Sequence, residues 1–494
     1  MKAKYRRCCG IDVHKKSIAV CVLPPVGKPE TGIRRRNFPT FTRDLKQLRT
    51  WMKHCQVTEI AMESTGQYWR SVWNLLEGHF EKLILVNPQH IKGLNGYKTD
   101  PKDAHWFAGL LEGDKLRGSW VPPREIRELR DLTRQRVHLL EDINRIKNRI
   151  EQLCQAGNVK LSSVASDIFG VTGRGLLRAV LEDRTRLGWI EGRVKTRLCG
   201  KLPELGIALE STFTADQRWL LNQELRQLEW LESQVEFFER EIERRTAPFE
   251  EPMLRLMTIP GIDRKTAWMI VAEIGVDMSV YGDAKRLASW AGLCPGNRES
   301  GGKRMSGRTR KANRYVRRGM CQGAWAASHT KDSYLSAFHK RIAFRRGAQK
   351  ATMALAHHMM AIVYNVLARG EKYVELGADF YDRQNKPRVV SRLVGRLARL
   401  GYSVELKPLA PQDGDPQVSA EPATIPALGD ESQNTLDAFR AIETAPKPRR
   451  GRPCKCALKG VPCKHGRSFS DGETGSGINP LISKLTEPSN ALIP

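Results

Sequence analysis

Asp12 sits inside the apolar run "CGIDVHK", where strand propensity disfavours aspartate and an ionised carboxylate is costly to bury unless something pairs with it. Glu63 holds the same kind of place at the end of "EIAMES". Asp100 and Asp103 stand three apart at a helix start, so their side chains can face one way. Carboxylates brought together repel one another unless cations hold them, and Mg²⁺ takes oxygen ligands. Two such ions can clamp the attacking and leaving oxygens of a phosphodiester. The later pair also has a plain reading: Asp100 before Pro101 makes a good N-cap, and Asp103 suits the first turn of a helix dipole. Asp12 resists that explanation, and the quartet together predicts a Mg²⁺ site.

A second stretch, "CPGNRESGGKRMSGRTRK", sets Ser300 before two glycines in a strongly basic setting. Between Arg298 and Arg318 nine Lys or Arg residues, among them Lys303, Arg304, Arg308, Arg310, Lys311 and Arg314, face one acidic residue, Glu299. Such a stretch suits a phosphate backbone. A serine hydroxyl is a poor nucleophile until deprotonated and aimed. Arginines can stabilise the charge of a pentavalent phosphate, and Gly301 and Gly302 would let a DNA backbone approach closely. Composition alone favours an ordinary turn. Ser306, in "MSGRT", is the second candidate.

The elements that must position these groups are legible in outline. With 494 residues the chain can hold about three domains. Residues 7–23 read as two β-rich runs joined by a polar turn at His14 to Lys16, and "GIRRRNFPT" can add a third strand. "FTRDLKQLRTWMKHC" has helical periodicity, with Phe41, Leu45, Leu48 and Met52 on one face. "VTEIAMES", "QYWRSVWNLLEGH" and "KLILVNPQ" read as strand, helix and strand, and "TDPKDAHWFAGLLEG" as a closing helix. This predicts a mixed α/β domain over residues 5–118. A helical region over 119–250 carries two heptad-like segments, Leu139, Ile143, Ile146, Ile150, Leu153 and Leu221, Leu225, Leu228, Val235, Phe238, Ile242. They can pack as an antiparallel hairpin, as a plain bundle or against a second chain. A mostly helical unit over 251–375 opens with "IPGIDRKTAWMIVAEIG", of helix-hairpin-helix form, in which Gly261 turns the chain and Ala267, Ile270 and Ile274 pack the second helix. Backbone N–H groups at such a helix start can hold a DNA phosphate without reading bases, although an ordinary helix–turn–helix connection has the same look.

The formal net charge of +28 predicts polyanionic partners, nucleic acid first. A membrane surface would need a basic amphipathic helix with exposed aromatics, and the sequence suggests none; nor does it suggest a transmembrane run or a signal peptide. The expected location is cytoplasmic. The eleven cysteines do not form a disulfide framework; Cys8, Cys9, Cys21 and Cys55 lie in or beside apolar runs, as reduced thiols do.

"GIDVHKKSIAVCVL", "AMESTGQYWRSVWNLLEG" and "VNPQHIKGLNGYKTDPKDAHWFAGLL" resemble the DEDD domain of the IS110 insertion-sequence transposases. The resemblance extends over about residues 5–370 and implies an RNase H-like, RuvC-like α/β fold. It places the family's four acidic metal ligands on Asp12, Glu63, Asp100 and Asp103, and its catalytic serine, from a Ser-Gly-Gly-Lys-like stretch, on Ser300. It further implies DNA recombination through a phosphoserine link, a composite site shared between protomers of a dimer or tetramer, guidance by a structured RNA encoded by the element, and a prokaryotic, nucleoid-associated setting.

Beyond about residue 404 the composition turns to Pro, Ser, Ala, Gly and Asp, and residues 404–494 are expected to be a disordered tail. Within it, Arg450 and Arg452 in "KPRRGRPCK" resemble an AT-hook that enters a narrow minor groove. Cys454, Cys456, Cys463 and His465 offer three thiols and an imidazole for Zn²⁺, at tighter spacing than common zinc motifs. Two other functions compete with the transposase: a metal-dependent junction nuclease without a covalent step, and a non-catalytic nucleic-acid scaffold.

Overall fold

A computed structural model of the chain describes residues 7–25, 32–64, 66–87, 100–184, 187–192, 194, 196–296, 298–301, 303–306, 309 and 312–407. Met1–Leu400 form one compact unit; of the second, Gly401–Pro494, residues 401–407 are described. The tail's Arg450, Arg452, Cys454, Cys456, Cys463 and His465 lie outside the described residues.

The N-terminal part is a six-stranded mixed sheet. β1 (Cys8–Val13) and β2 (Ser17–Val22) form an antiparallel hairpin whose turn is closed by His14 N–H donating to Ser17 O at 2.9 Å, and β3 (Arg34–Pro39) adds to β2. After helix α1 (Thr42–His54), β4 (Glu59–Glu63) pairs with β1 in parallel. After α2 (Trp69–Leu76), β5 (Lys82–Val86) pairs in parallel with β4. Helix α3 (Asp100–Glu112) and the short β6 (Gly118–Ser119) complete the order β3-β2-β1-β4-β5-β6. The α1 face differs from expectation at one position: Phe41 is its N-cap and 73% exposed, leaving Leu45, Leu48 and Met52 to make the contact.

Alternation along β1 separates two cores. Cys9, Ile11 and Val13 pack with Leu48, Met52, Trp73 and Leu76 from α1 and α2, whereas Cys8 packs with Ala104, Phe107, Ala108 and Leu111 from α3. Gly10 lies on the α3 side, and a Cβ there would fall on the Ala104 carbonyl and within 2.6 Å of Ala108 N. The missing side chain is what lets the helix lie directly on the strand. Glu112, at the far end of α3, adds to burial in pushing the Cys8 thiol up to about 12. The helix therefore runs antiparallel to β1, with its N-terminus over the C-terminal end of the strand.

Helix α4 (Arg124–Ala156) and helix α5 (Ala215–Thr246) form an antiparallel pair within one chain, as Arg149–Glu224 (3.3 Å), Arg136–Glu239 (2.7 Å) and Arg245–Glu128 (3.4 Å) show. Leu139, Ile143, Ile146 and Ile150 are buried against Leu221, Leu225 and Leu228, the hairpin among the arrangements that the spacing left open; the seam then continues through Cys154, with Leu153 half exposed. Short helices between residues 161 and 208 cover the open end of the pair. The start of α4 is tied to the sheet domain. Buried Arg127 donates to both oxygens of Glu77 (2.9 and 2.6 Å), to Asn74 Oδ1 (3.0 Å) and to Pro122 O (2.7 Å), and Arg70 meets Asp131 at 2.6 Å.

The third unit comprises α6 (Glu250–Leu256), α7 (Arg264–Ile274), α8 (Ala284–Trp290), the hairpin β7 (Arg298–Ser300) and β8 (Lys303–Ser306), then α9 (Arg314–His329), α10 (Tyr334–Arg346) and α11 (Ala348–Arg369). Among the described residues α11 is the one helix long and apolar enough to cross a bilayer; here Leu355, Met359, Met360 and Val363 fill the core of this unit. Beyond it follow α12 (Phe380–Gln384) and α13 (Lys386–Arg399). The latter is a basic amphipathic helix that carries no aromatic residue. Arg388, Arg392, Arg396 and Arg399 share one side of it, Val390, Leu393 and Leu397 the other, and none of its residues is buried.

Two outcomes test this packing. Gly10→Ala should destabilise the protein by about 1–3 kcal/mol in chemical denaturation, because α3 must lift off the sheet. Gly109→Ala on the same helix, where no heavy atom lies within 4 Å of the added Cβ, should be neutral or mildly stabilising. The Arg127 guanidinium holds the Glu77 carboxyl below its ordinary 4.5. The pair's contribution is therefore complete above that pH and is lost as pH falls through the depressed value. The stability advantage of the parent over Glu77→Gln, measured by urea unfolding, should be present at neutral pH and vanish in strong acid.

Candidate active site

The parallel pairing of β1 with β4 runs through Ile11↔Met62. One step further along each strand stand Asp12 and Glu63, neighbours at the carboxyl ends of adjacent parallel strands, where open α/β sheets collect their ligands. Asp12 shares the α3 side of β1 with Cys8 and Gly10, and Glu63 shares that side of β4 with Ala61. Since α3 crosses Gly10 at Ala104 and runs antiparallel to β1, its first turn, which carries Asp100 and Asp103, lies toward Asp12. Two strand ends and one helix start thus approach a common place.

Asp12 is 3% exposed, and His14 Nε2 lies 3.1 Å from its Oδ2. That imidazole is a partner the sequence reading missed, having treated His14 as part of a polar turn. The two-residue spacing along a strand, which puts both side chains on one face, was the available signal. Glu63 and Asp103 are each partly exposed. The Asp100 backbone opens the helix, and its side chain lies outside the description. Among the described residues no three acidic, histidine or cysteine side chains are gathered as a metal cluster. Asp12 and Glu63 at the adjacent strand ends and Asp103 on the first turn of α3 carry carboxylates, the hard oxygen donors that Mg²⁺ takes, and Asp12 is almost fully buried.

The serine stretch forms a small hairpin. Ser300 ends β7 and pairs with Lys303 across the turn, and Glu299 pairs with Arg304. Gly301 enters the turn at φ +56°, left-handed backbone that glycine adopts without strain, so the turn itself accounts for a glycine there. The backbones of Arg298, Ser300, Lys303, Arg304 and Ser306 are placed by these strands; Arg308, Arg310 and Lys311 lie outside the described residues. Arg314, at the start of α9, is exposed, its guanidinium 4.8 Å from the Tyr315 ring.

The helix-hairpin-helix expectation fares differently from the hairpin. Ala267, Ile270 and Ile274 are buried as expected. Gly261, however, has φ +85° and packs on α9, where a Cβ would collide with the Gly323 carbonyl and approach Ala327 N to 2.8 Å. Helix packing explains this glycine without a DNA phosphate. The Asp263 carboxylate accepts from Thr266 N at 2.8 Å and so occupies the N-terminus of α7. A phosphate there would meet the negative charge of Asp263, with the Thr266 N–H already engaged. The observations fit the ordinary helix–turn–helix connection.

Comparison with known proteins gives these two regions one common identity. Residues 9–156 match the transposase model DEDD_Tnp_IS110, and residues 253–340 match the model described as Transposase IS116/IS110/IS902 family. The transposase for insertion sequence element IS1111A of Coxiella burnetii is 24% identical over 374 residues, covering 74% of this chain and 90% of the relative. A protein of insertion element IS116 from Streptomyces clavuligerus is 27% identical over 284 residues, covering 52% and 68%. The pilin gene-inverting protein of Moraxella bovis is 24% identical over 304 residues, covering 59% and 73%. The mixed sheet with its two strand-end carboxylates and the helical unit with its basic serine hairpin are thus the two matched parts of one protein, which belongs to the IS110 family of transposases.

Proposed function

We propose that this transposase cuts and rejoins the DNA of its insertion sequence through Ser300, with Asp12, Glu63, Asp100 and Asp103 as the Mg²⁺-binding set. The observation that carries this reading is the course of α3. Packed on Gly10 and antiparallel to β1, it brings the Asp100–Asp103 turn toward the strand ends of Asp12 and Glu63. Bound there, Mg²⁺ would supply Lewis-acid stabilisation of phosphodiester oxygens. The sheet and its covering helix are consistent with an RNase H-like domain.

In the cleavage step the Ser300 hydroxyl oxygen bonds to phosphorus while the bond from phosphorus to one deoxyribose oxygen breaks. The serine proton passes to a base, and the departing oxygen takes up a proton. The product is a phosphoserine ester that conserves the bond energy for rejoining. Arg298, Lys303, Arg304 and the arginines that follow hold the DNA backbone and offset the charge gathering on the phosphate. The hairpin and the acidic set belong to separate units of the chain, which suits a site completed between protomers. The outer face of α5 exposes Trp219, Trp230 and Phe237, at 62%, 58% and 57%, a stripe suited to a second copy. An element-encoded structured RNA as the guide rests on the family resemblance together with the strong positive charge.

The test is covalent trapping. Protein, Mg²⁺, the RNA that flanks the gene and labelled DNA bearing the element junction are combined and run under denaturing conditions. A labelled protein–DNA adduct is expected with the parent and lost in both Ser300→Ala and Asp12→Ala. Cleavage that persists in Ser300→Ala without an adduct would replace this reading with a metal-dependent nuclease. If Ser306→Ala instead abolishes the adduct, the nucleophile moves to that residue.

A further inference from the structure

Glu273 is completely buried at the end of α7, yet its carboxylate takes charge-assisted hydrogen bonds from Arg134 and Asn313 and an ion-pair contact from Arg130, on two other segments. Arg134 of α4 grips it with both arms, Nε to Oε1 at 2.7 Å and Nη2 to Oε2 at 2.9 Å. Arg130, one turn earlier, lies 3.4 Å from Oε2 and also donates to the Ala272 and Glu273 carbonyls at 3.1 and 2.7 Å, satisfying the C-terminus of α7. Asn313 Nδ2 donates to Oε2 at 2.6 Å. The same Asn313 uses its Oδ1 to cap α9, accepting from Tyr315 N and Val316 N at 3.0 and 3.3 Å. The Arg134 guanidinium lies over the Tyr315 ring at 4.6 Å.

Asn313 is where the chain returns from the serine hairpin to the helical body. The other foot of that excursion is Leu293, buried in the apolar core. A buried carboxylate shared in this way is costly to rearrange, because losing one partner leaves charge without compensation. We propose that Glu273 is a positioning residue for the reaction: through Asn313 it fixes the exit of the Ser300 hairpin to α4. This inference rests on Ser300 being the nucleophile. The same first turns of α4 hold Glu77 through Arg127 and Arg70 through Asp131, so the helix that anchors the hairpin also anchors the domain carrying the carboxylates. Correct geometry at the reacting phosphate then depends on a contact that touches neither DNA nor metal.

An exchange of partners tests it in the reconstituted junction-cleavage reaction under single-turnover conditions. Asn313→Asp keeps an oxygen to cap α9 but removes the donor and sets a second carboxylate against Glu273. Assayed well below its own thermal midpoint, so that the variant stays folded, it should cleave at least tenfold more slowly, while the Kd for junction DNA stays within threefold of the parent. Adding Glu273→Gln to Asn313→Asp removes the repulsion between the two carboxylates and leaves one negative charge beside Arg134, although the two-oxygen grip of Arg134 is lost, and should raise the rate at least threefold above that of the single variant. A parental rate in Asn313→Asp, or a double variant as slow as the single, overturns the proposal. So does a Kd for junction DNA that rises in step with the rate loss, since that assigns a purely structural role. Ser300→Ala run alongside separates the two claims: cleavage surviving it refutes the nucleophile, whereas loss and rescue at Asn313 report on the clamp alone.

Discussion

The close approach of α3 to β1 at Gly10 is the constraint on which the proposed acidic site depends. A helix normally stands off a sheet by the length of the side chains between them. Here the strand offers only hydrogen, and the Ala104 and Ala108 segment rests on its backbone. The antiparallel course that results determines which end of α3 meets the carboxyl ends of β1 and β4. Reversed, the same helix would place Glu112 there and carry Asp103 to the opposite edge. A contact made without any functional group thus decides where the functional groups go.

A second constraint joins this domain to the rest. The first three turns of α4 carry Arg127, Arg130, Asp131 and Arg134, and these end on two other segments: Arg127 and Asp131 on Glu77 and Arg70 at the ends of α2, Arg130 and Arg134 on the α7 terminus and its Glu273. Guanidinium groups suit this task because a planar fork fixes direction as well as distance. Glu273 is fully buried, where such a pair resists salt better than surface pairs do, whereas Glu77 remains open to solvent on one side. The helix is therefore a bracket, with the carboxylate-bearing sheet on one side and the serine-bearing unit on the other.

Much of this was legible in the sequence, for physical reasons. The strands around Asp12 and Glu63 announced themselves because both sheet faces are covered, which makes the runs almost continuously apolar. The strand-end carboxylates stood out against that background. The helical seams at Ile143 and Leu225 were equally plain, although periodicity alone could not say that the two helices pair with each other inside one chain. What stayed hidden was tertiary. Gly10 looks like any glycine in a strand until α3 is laid on it. Gly261 fitted a phosphate loop and an ordinary helix connection equally well, because a tight turn and a close helix contact ask for the same residue. Glu273 sits in an ordinary apolar helix, and its partners lie far away in sequence at Arg134 and Asn313. The amphipathic course of α13 was readable from its arginine spacing and was passed over.

The most direct measurement of the central claim, that the α3 turn and the two strand ends form one cation site, is Mn²⁺ binding followed by electron paramagnetic resonance. Mn²⁺ favours the same oxygen donors as Mg²⁺ and reports its own immobilisation. The account predicts saturable binding to the parent that competes with Mg²⁺ and is lost in Asp12→Asn and in Asp103→Asn alike, although the two residues lie on different elements. Binding unaffected by Asp103→Asn, or no saturable binding to the intact protein, would contradict it.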